Sequence, residues 1–295
     1  MNNFKNFLIL VLSLIIIVQS VFIVYFVSRR PSAPKAAKVA EPVAAEKAPV
    51  PVEPRKQEVV RQPAVKPMPS VVQGKIAIVI DDWGYNLKNK DFITDNDFHL
   101  TLSILPFGEY STHVAQLARH KNKDVIIHVP MEPYNKENYG LEENTLLTSM
   151  DKNRIVRILD SAFADVPHAK GISNHMGSKA TEDVRLMRIV MEYLKQKGMF
   201  FLDSLVTSKS VCRGLAGKLR LGFTQRDIFI DNESDPGYIR AQVLKLAQKA
   251  KRLGVAIGIG HDRKSTIEVL KEMMPLLEEE GYQFVNLSEV VLENE

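Results

Sequence analysis

The chain has a single cysteine, Cys212, among its 295 residues. An internal disulfide framework is therefore excluded, and so is a metal site built from cysteine thiolates. A lone cysteine is more often a small buried apolar residue than a reactive thiol. An excess of one charge sign is also lacking. The formal net charge is +4, and much of the basic excess sits near the N-terminus, in Lys5, Arg29, Arg30, Lys35 and Lys38. No long basic stripe interleaved with aromatics is present, so nucleic-acid binding has no support. There is one tryptophan, Trp83. What is present is an ordinary globular composition, 45% hydrophobic and 25% charged, sufficient for a sizeable core.

Phe7 to Val27 is an almost unbroken apolar run, interrupted by Ser13, Gln19 and Ser20. As a helix it would span roughly 30 Å, the hydrocarbon thickness of a bilayer. It is longer than the apolar part of a signal peptide, and no small-x-small cleavage site follows directly, so an uncleaved anchor is favoured over a cleaved signal. A literal count of the flanking charges would put the C-terminal side in the cytoplasm. The spacer-like segment that follows argues for the opposite orientation. That segment, residues 31–73, is rich in Pro, Ala, Val, Lys and Glu, with no apolar periodicity and almost no aromatics. Such a composition does not bury enough surface to offset its conformational entropy, and its prolines make an extended tether. The expected organisation is an anchor or signal over 1–30, a disordered linker over 31–73, and one globular domain over 74–295.

Within that domain short β-branched runs alternate with helical stretches. Lys75–Ile80, His99–Leu105, Asp124–Val129, Lys170–Ser173, Met199–Leu202, Asp227–Ile230, Val255–Ile259 and Gln283–Val285 read as strands. The continuous apolar character of the first suits a strand buried on both faces, as in a parallel sheet. Helices are expected near Glu109–His120, Lys152–Phe163, Glu182–Lys197, Lys209–Leu219, Pro236–Arg252 and Thr266–Glu279. Asp235 followed by Pro236 is an N-cap with proline at the first helical position. The alternation predicts an α/β fold with right-handed crossovers. About seven or eight strands in roughly 220 residues fit a distorted (β/α) barrel, with a doubly wound open sheet as the alternative.

Polar residues recur where a predicted strand hands over to its loop. Asp81 and Asp82 end the first, His128 the third, Asn174 and His175 the fourth, Asp203 the fifth and His261 the seventh. Strand C-termini converge on one face in barrels and open α/β sheets, so residues as distant as 81 and 261 can share a cleft. Taken singly, each has a bland reading: an Asp in a turn or cap, a hydrogen-bonded histidine, a Gly-rich strand end. Taken together, that reading requires several independent coincidences. His99, His113, His120 and His168 do not follow the rule and read as surface or structural residues. The set offers histidine and carboxylate ligands for a divalent metal. It also leaves a carboxylate to serve as general base and a histidine to serve as general acid, the complement needed for amide or ester hydrolysis. Adjacent Asp81 and Asp82 on a strand are expected to point in different directions and so to take different roles.

The segments IAIVIDDWG (76–84), HVPMEP (128–133), GISNHMGS (171–178), FFLDS (200–204) and AIGIGH (256–261) resemble the divergent polysaccharide deacetylase family, a distant branch of the NodB-like carbohydrate esterases. The resemblance covers most of the domain, in order. It implies a distorted (β/α) barrel of the NodB-like type, a divalent metal (zinc), and an N-acetylated polysaccharide such as peptidoglycan as substrate. By position it implies Asp81 as catalytic base, Asp82 as metal-binding aspartate, His128 as metal histidine and His261 as general acid. The better-known deacetylases place a second histidine four residues after the first, where this chain has Glu132, and an arginine near the strand end where it has Asn174. His175 is the expected replacement ligand. Glu132 is expected behind His128 or His175, Asp203 beside His261 or the substrate, and Trp83 either stacked on a sugar or packed in the core.

Three functions follow as expectations. The first is a membrane-anchored, extracytoplasmic hydrolase that deacetylates a cell-envelope polymer. The second is a non-catalytic metal- or glycan-binding envelope scaffold. The third is a metal hydrolase acting on another ester or amide.

Overall fold

The computed structural model describes residues 72–292. The expected anchor over 1–30 and nearly all of the expected linker lie outside them. Among the described residues no helix is long and apolar enough to cross a membrane.

The strands are β1 (Gly74–Trp83), β2 (Thr101–Ile104), β3 (Asp124–Met131), β4 (Gly171–Met176), β5 (Phe200–Asp203), β6 (Phe223–Gln225), β7 (Ile228–Phe229), β8 (Val255–His261) and β9 (Tyr282–Val285). All their pairings are parallel, in the order β6-β5-β4-β3-β2-β1-β8-β7, with β9 against the start of β1. The two ends of this order are one stretch of chain. β6 pairs with β5 and β7 with β8, and only Arg226 and Asp227 separate them. Arg226 N–H donates to Asp203 O and Asp227 N–H to Ile257 O. The ring of pairings therefore closes through residues 223–229, which excludes the doubly wound sheet and gives the distorted (β/α) barrel.

The helices are α1 (Lys90–Thr94), α2 (Ser111–His120), α3 (Lys152–Asp165), α4 (Val184–Gln196), α5 (Cys212–Leu219), α6 (Pro236–Leu253), α7 (Lys264–Glu279) and α8 (Leu287–Leu292). Asp235 caps α6 as expected, accepting from Tyr238 N–H at 2.8 Å. α1, α8 and β6 were not legible as elements. Each is short, and the pairing of β6 switches partners after three residues.

Strand alternation divides the apolar residues between two cores. Ile76, Ile78 and Ile80 of β1 pack outward with the helices, while Ala77 and Val79 face the barrel interior with Ile126, Leu202, Ile257 and Ile259. α8 closes the N-terminal end of the barrel. Its Leu287 and Val290 join the interior cluster, Leu287 N–H donates to Thr101 Oγ1 and Ser288 N–H to Asp124 Oδ2. The polar inward residues at this end, Thr101 and Asp124, are thereby occupied by α8, and the remaining polar inward positions lie at the opposite, C-terminal end.

Candidate metal centre and active site

The alternation that sends Val79 and Ile126 inward also sends Asp81 and His128 inward, two residues further along β1 and β3. In the same way Ser103, Ser173, His175 and His261 finish the inward rows of β2, β4 and β8. Asp82 breaks the pattern. It should face outward, but the β1–β2 register shifts between Ile80 and Trp83 and Asp82 has a left-handed φ of 67°. An irregularity of this kind re-aims a side chain, and a non-glycine residue held there carries strain characteristic of functional sites. The expectation that Asp81 and Asp82 point apart is thus corrected: both carboxylates reach the same cluster of histidines.

Asp82 Oδ1 lies 3.2 Å from His175 Nδ1 and 3.5 Å from His128 Nε2. The two imidazoles meet edge to face, 4.9 Å between centroids. Donor atoms of Asp82, His128 and His175 all lie within 4.8 Å of one another, and Asp82 Oδ1 is buried without a hydrogen-bond partner. Ligand bonds of about 2.0–2.1 Å in a tetrahedral site put neighbouring donors about 3.3 Å apart. These three residues therefore fit a divalent cation, and they are the one such cluster among the described residues. Their protonation states agree. Burial, aided by His175, holds the His128 pKa well below its ordinary value, so the ring stays neutral as a ligand must. His128 Nδ1 is engaged by Ser173 Oγ at 2.7 Å, which leaves Nε2 for the cation position. Burial opposes ionisation of Asp82, but the adjacent histidines more than offset it and its pKa is lowered.

Asp81 sits beside this cluster, with Oδ2 3.5 Å from His128 Nε2 and a buried Oδ1 that has no partner. Burial, reinforced by the Asp82 charge and opposed by His261, Ser103 and His175, pushes its pKa up to about 7. A carboxylate in that range can take and release a proton near neutrality. His261 faces the same space and is held from behind by Asp231. Asp231 Oδ1 pairs with His261 Nδ1 at 2.8 Å, and its Oδ2 accepts from His261 N–H at 2.8 Å and from the Thr266 hydroxyl at 2.7 Å. Burial disfavours the imidazolium, but Asp231, with Asp81 and Asp82 behind it, raises the His261 pKa overall. Phe229 stacks on the imidazole at 6.0 Å, and the Arg226 guanidinium lies over the Phe229 ring, 3.7 Å from its centroid.

The remaining expected residues are placed elsewhere. Asn174 faces away from the cluster and joins two strand ends, donating to Met176 O and accepting from Ser204 N–H. Asp203 does not orient His261; Asp231 does. Its own carboxylate accepts from Leu205 N–H and the Ser210 hydroxyl, shaping the loop after β5. Glu132 touches neither His128 nor His175. It accepts from Thr148 N–H and Oγ1, both at 2.7 Å, and from Lys136 and Lys179, and so pins the loop after β3. Trp83 is fully buried in the core under the helices, its Nε1 without a partner; burial of the indole excludes stacking on a sugar. Sequence reading missed Asp231, although it directly follows the predicted strand Asp227–Ile230 and obeys the strand-end rule. It also missed Ser103 and Ser173, whose signal is their inward parity beside His128, and Glu142, which lies on an irregular loop 3.8 Å from His175 Nε2.

An uncharacterized protein from Agrobacterium tumefaciens has a structure that superimposes with a TM-score of 0.72 at 21% identity, over 76% of this chain and 92% of that one; the fold is shared. The uncharacterized protein YibQ of Escherichia coli is 35% identical over 204 residues, 69% of this chain and 63% of that protein, so the match spans less than two thirds of that relative. An uncharacterized protein of Haemophilus influenzae is 35% identical over 202 residues, 68% of this chain and 71% of that protein. The family described as divergent polysaccharide deacetylase matches residues 78–291, a span that holds Asp81, Asp82, His128, His175, Asp231 and His261, and the chain belongs to that family.

Proposed function

We propose that the chain is a metal-dependent hydrolase that removes acetyl groups from an N-acetylated polysaccharide of the cell envelope, peptidoglycan being the favoured polymer and zinc the favoured metal. The observation that carries this reading is the juxtaposition of three parts. They are a ligand trio (Asp82, His128, His175), a buried carboxylate with a free oxygen (Asp81), and a carboxylate-backed histidine (His261). A site that only bound a metal would need the first part alone.

A divalent cation held by Asp82, His128 and His175 would supply Lewis acidity, for the acetamide carbonyl and for a water that attacks it at neutral pH. Asp81 accepts the proton of that water at its free Oδ1. His261, protonated because Asp231 holds Nδ1–H, presents Nε2 to the departing sugar nitrogen and donates its proton there. Proton transfers of this kind contribute typically about 10²–10⁴-fold each. An anchor over residues 7–27 and a tether over 31–73 would place the domain against the envelope polymer, outside the cytoplasm. Acetate release from N-acetylglucosamine oligomers and from peptidoglycan tests the reading. Wild type should release acetate, and Asp81→Asn should lose release while keeping its metal. Metal binding without acetate release from either substrate would instead support the non-catalytic scaffold.

A further inference from the structure

His128 and His175 reach the cation position through different nitrogens. His128 uses Nε2, and its Nδ1 is fixed by Ser173 on the inward face of β4. His175 uses Nδ1, so its Nε2 points the other way. A histidine that offers Nδ1 to a metal carries its proton on Nε2, and a group facing that N–H sets the tautomer and the plane of the ring. On that side stands Glu142, its Oε1 3.8 Å from Nε2.

The two histidines also differ in how firmly the fold holds them. The His128 side chain is buried, while the His175 side chain is 18% exposed near the C-terminal end of β4. The next residue, Met176, has a left-handed φ of 53°. Packing alone therefore fixes His128 better than His175. Glu142 lies on the loop between β3 and α3, and both ends of that loop are tied to the barrel. Glu132 binds Thr148, Leu146 pairs with Met131, Tyr134 N–H donates to Ser178 Oγ and Arg185 donates to Thr148 O. A loop anchored at both ends can hold a carboxylate at its crest in a fixed place.

We infer that Glu142 is the positioning residue for His175: it holds the Nε2–H so that Nδ1 stays aimed at the cation, and it makes the β3–α3 loop part of the metal site. The inference rests on the metal-site reading above. It gives the loop a task beyond shaping the cleft, because metal affinity then depends on a residue that does not touch the metal.

The test is zinc affinity, measured on the full chain in detergent by competition with a chromophoric chelator. Wild type is compared with Glu142→Ala, Glu142→Gln and, as a control, Glu143→Ala at the neighbouring exposed carboxylate. Removing such a partner typically weakens metal binding by about 10- to 100-fold, and that is the loss expected of Glu142→Ala. Glu142→Gln, whose amide oxygen keeps an acceptor on that side of the ring, should recover part of it, and Glu143→Ala should match wild type. Melting of the metal-free protein should be the same for all four, which separates positioning from a general loss of structure. Equal affinity of wild type and Glu142→Ala would overturn the inference and leave the metal site standing. A wild-type chain that takes up no zinc would overturn both.

Discussion

Replacing Asp231 with asparagine removes the charge behind His261 and almost nothing else. The carboxylate is fully buried and accepts three hydrogen bonds, from His261 N–H, Thr266 Oγ1 and His261 Nδ1. Asparagine has one carbonyl oxygen. It serves best at the Oδ2 position, where a backbone N–H and a hydroxyl both donate; the amide NH2 then faces His261 Nδ1. Two donors cannot share that contact, so the imidazole must give up its Nδ1 proton and become neutral with its proton on Nε2. One charge-assisted hydrogen bond is lost, about 1.5–3 kcal/mol. Burial disfavours the imidazolium in the folded wild type, but Asp231, together with Asp81 and Asp82, outweighs it and the His261 pKa lies above its ordinary 6.5. In Asp231→Asn burial acts with that opposition reduced, so the pKa should fall. The sign for stability follows: a group whose folded pKa is raised stabilises fully below its unfolded value and loses that contribution as pH rises through the folded value. The wild-type advantage over the variant should therefore be larger in urea melts near about pH 5.5 than near about pH 8.5. The direct assay is NMR titration of the imidazole Cε1–H, assigned with His261→Gln and run on metal-free protein. Deacetylation by the variant at neutral pH should fall by about 10²–10⁴-fold. An unchanged His261 titration in Asp231→Asn would refute the reasoning, because the pairing would then not be setting the proton's place.

Glu132→Gln should destabilise the protein by about 2–4 kcal/mol, since a buried carboxylate with four donors loses its charge. Hydrogen bonds from Thr148, Lys179 and Lys136 outweigh burial and hold the Glu132 pKa down to about 2, against an ordinary 4.5. That stabilisation is complete above about pH 4.5 and is lost as pH falls toward 2, so the gap between wild type and variant in denaturant melts should close over that range. Gly84→Ala should lower the melting temperature by several degrees. Gly84 has φ 119°, and a Cβ there would sit 2.7 Å from Ser111 Oγ and 2.8 Å from Leu105 O; overpacking of this kind costs about 1–3 kcal/mol, and a domain of this size shifts by roughly 2–4 °C per kcal/mol.

The barrel was legible because buried parallel strands leave continuous apolar runs, and Lys75–Ile80, Asp124–Val129 and Val255–Ile259 carry them. The site was legible because acids and histidines recur at the C-terminal ends of successive strands, which converge on one face. Counting strand ends found Asp81, His128, His175 and His261. It did not separate the inward residue from its outward neighbour, so Asn174 and Asp203 were included with them. Parity separates them once the register is known: with Ile172 outward, Asn174 is outward and His175 inward. Two contributions lay beyond any pattern. The bulge and left-handed φ that bring Asp82 beside Asp81 come from tertiary pairing of β1 with β2. Glu142 reaches His175 across a loop with no periodicity, from a position that no repeat or spacing marks.

The most direct measurement is zinc uptake by the purified full chain, followed by equilibrium dialysis for wild type, Asp82→Asn, His128→Ala and His175→Ala. The expected result is one tightly held ion per wild-type molecule, and a marked loss of affinity in each of the three variants with folding preserved. Undiminished uptake in all three would place the ion, if there is one, somewhere other than the rim where these side chains converge.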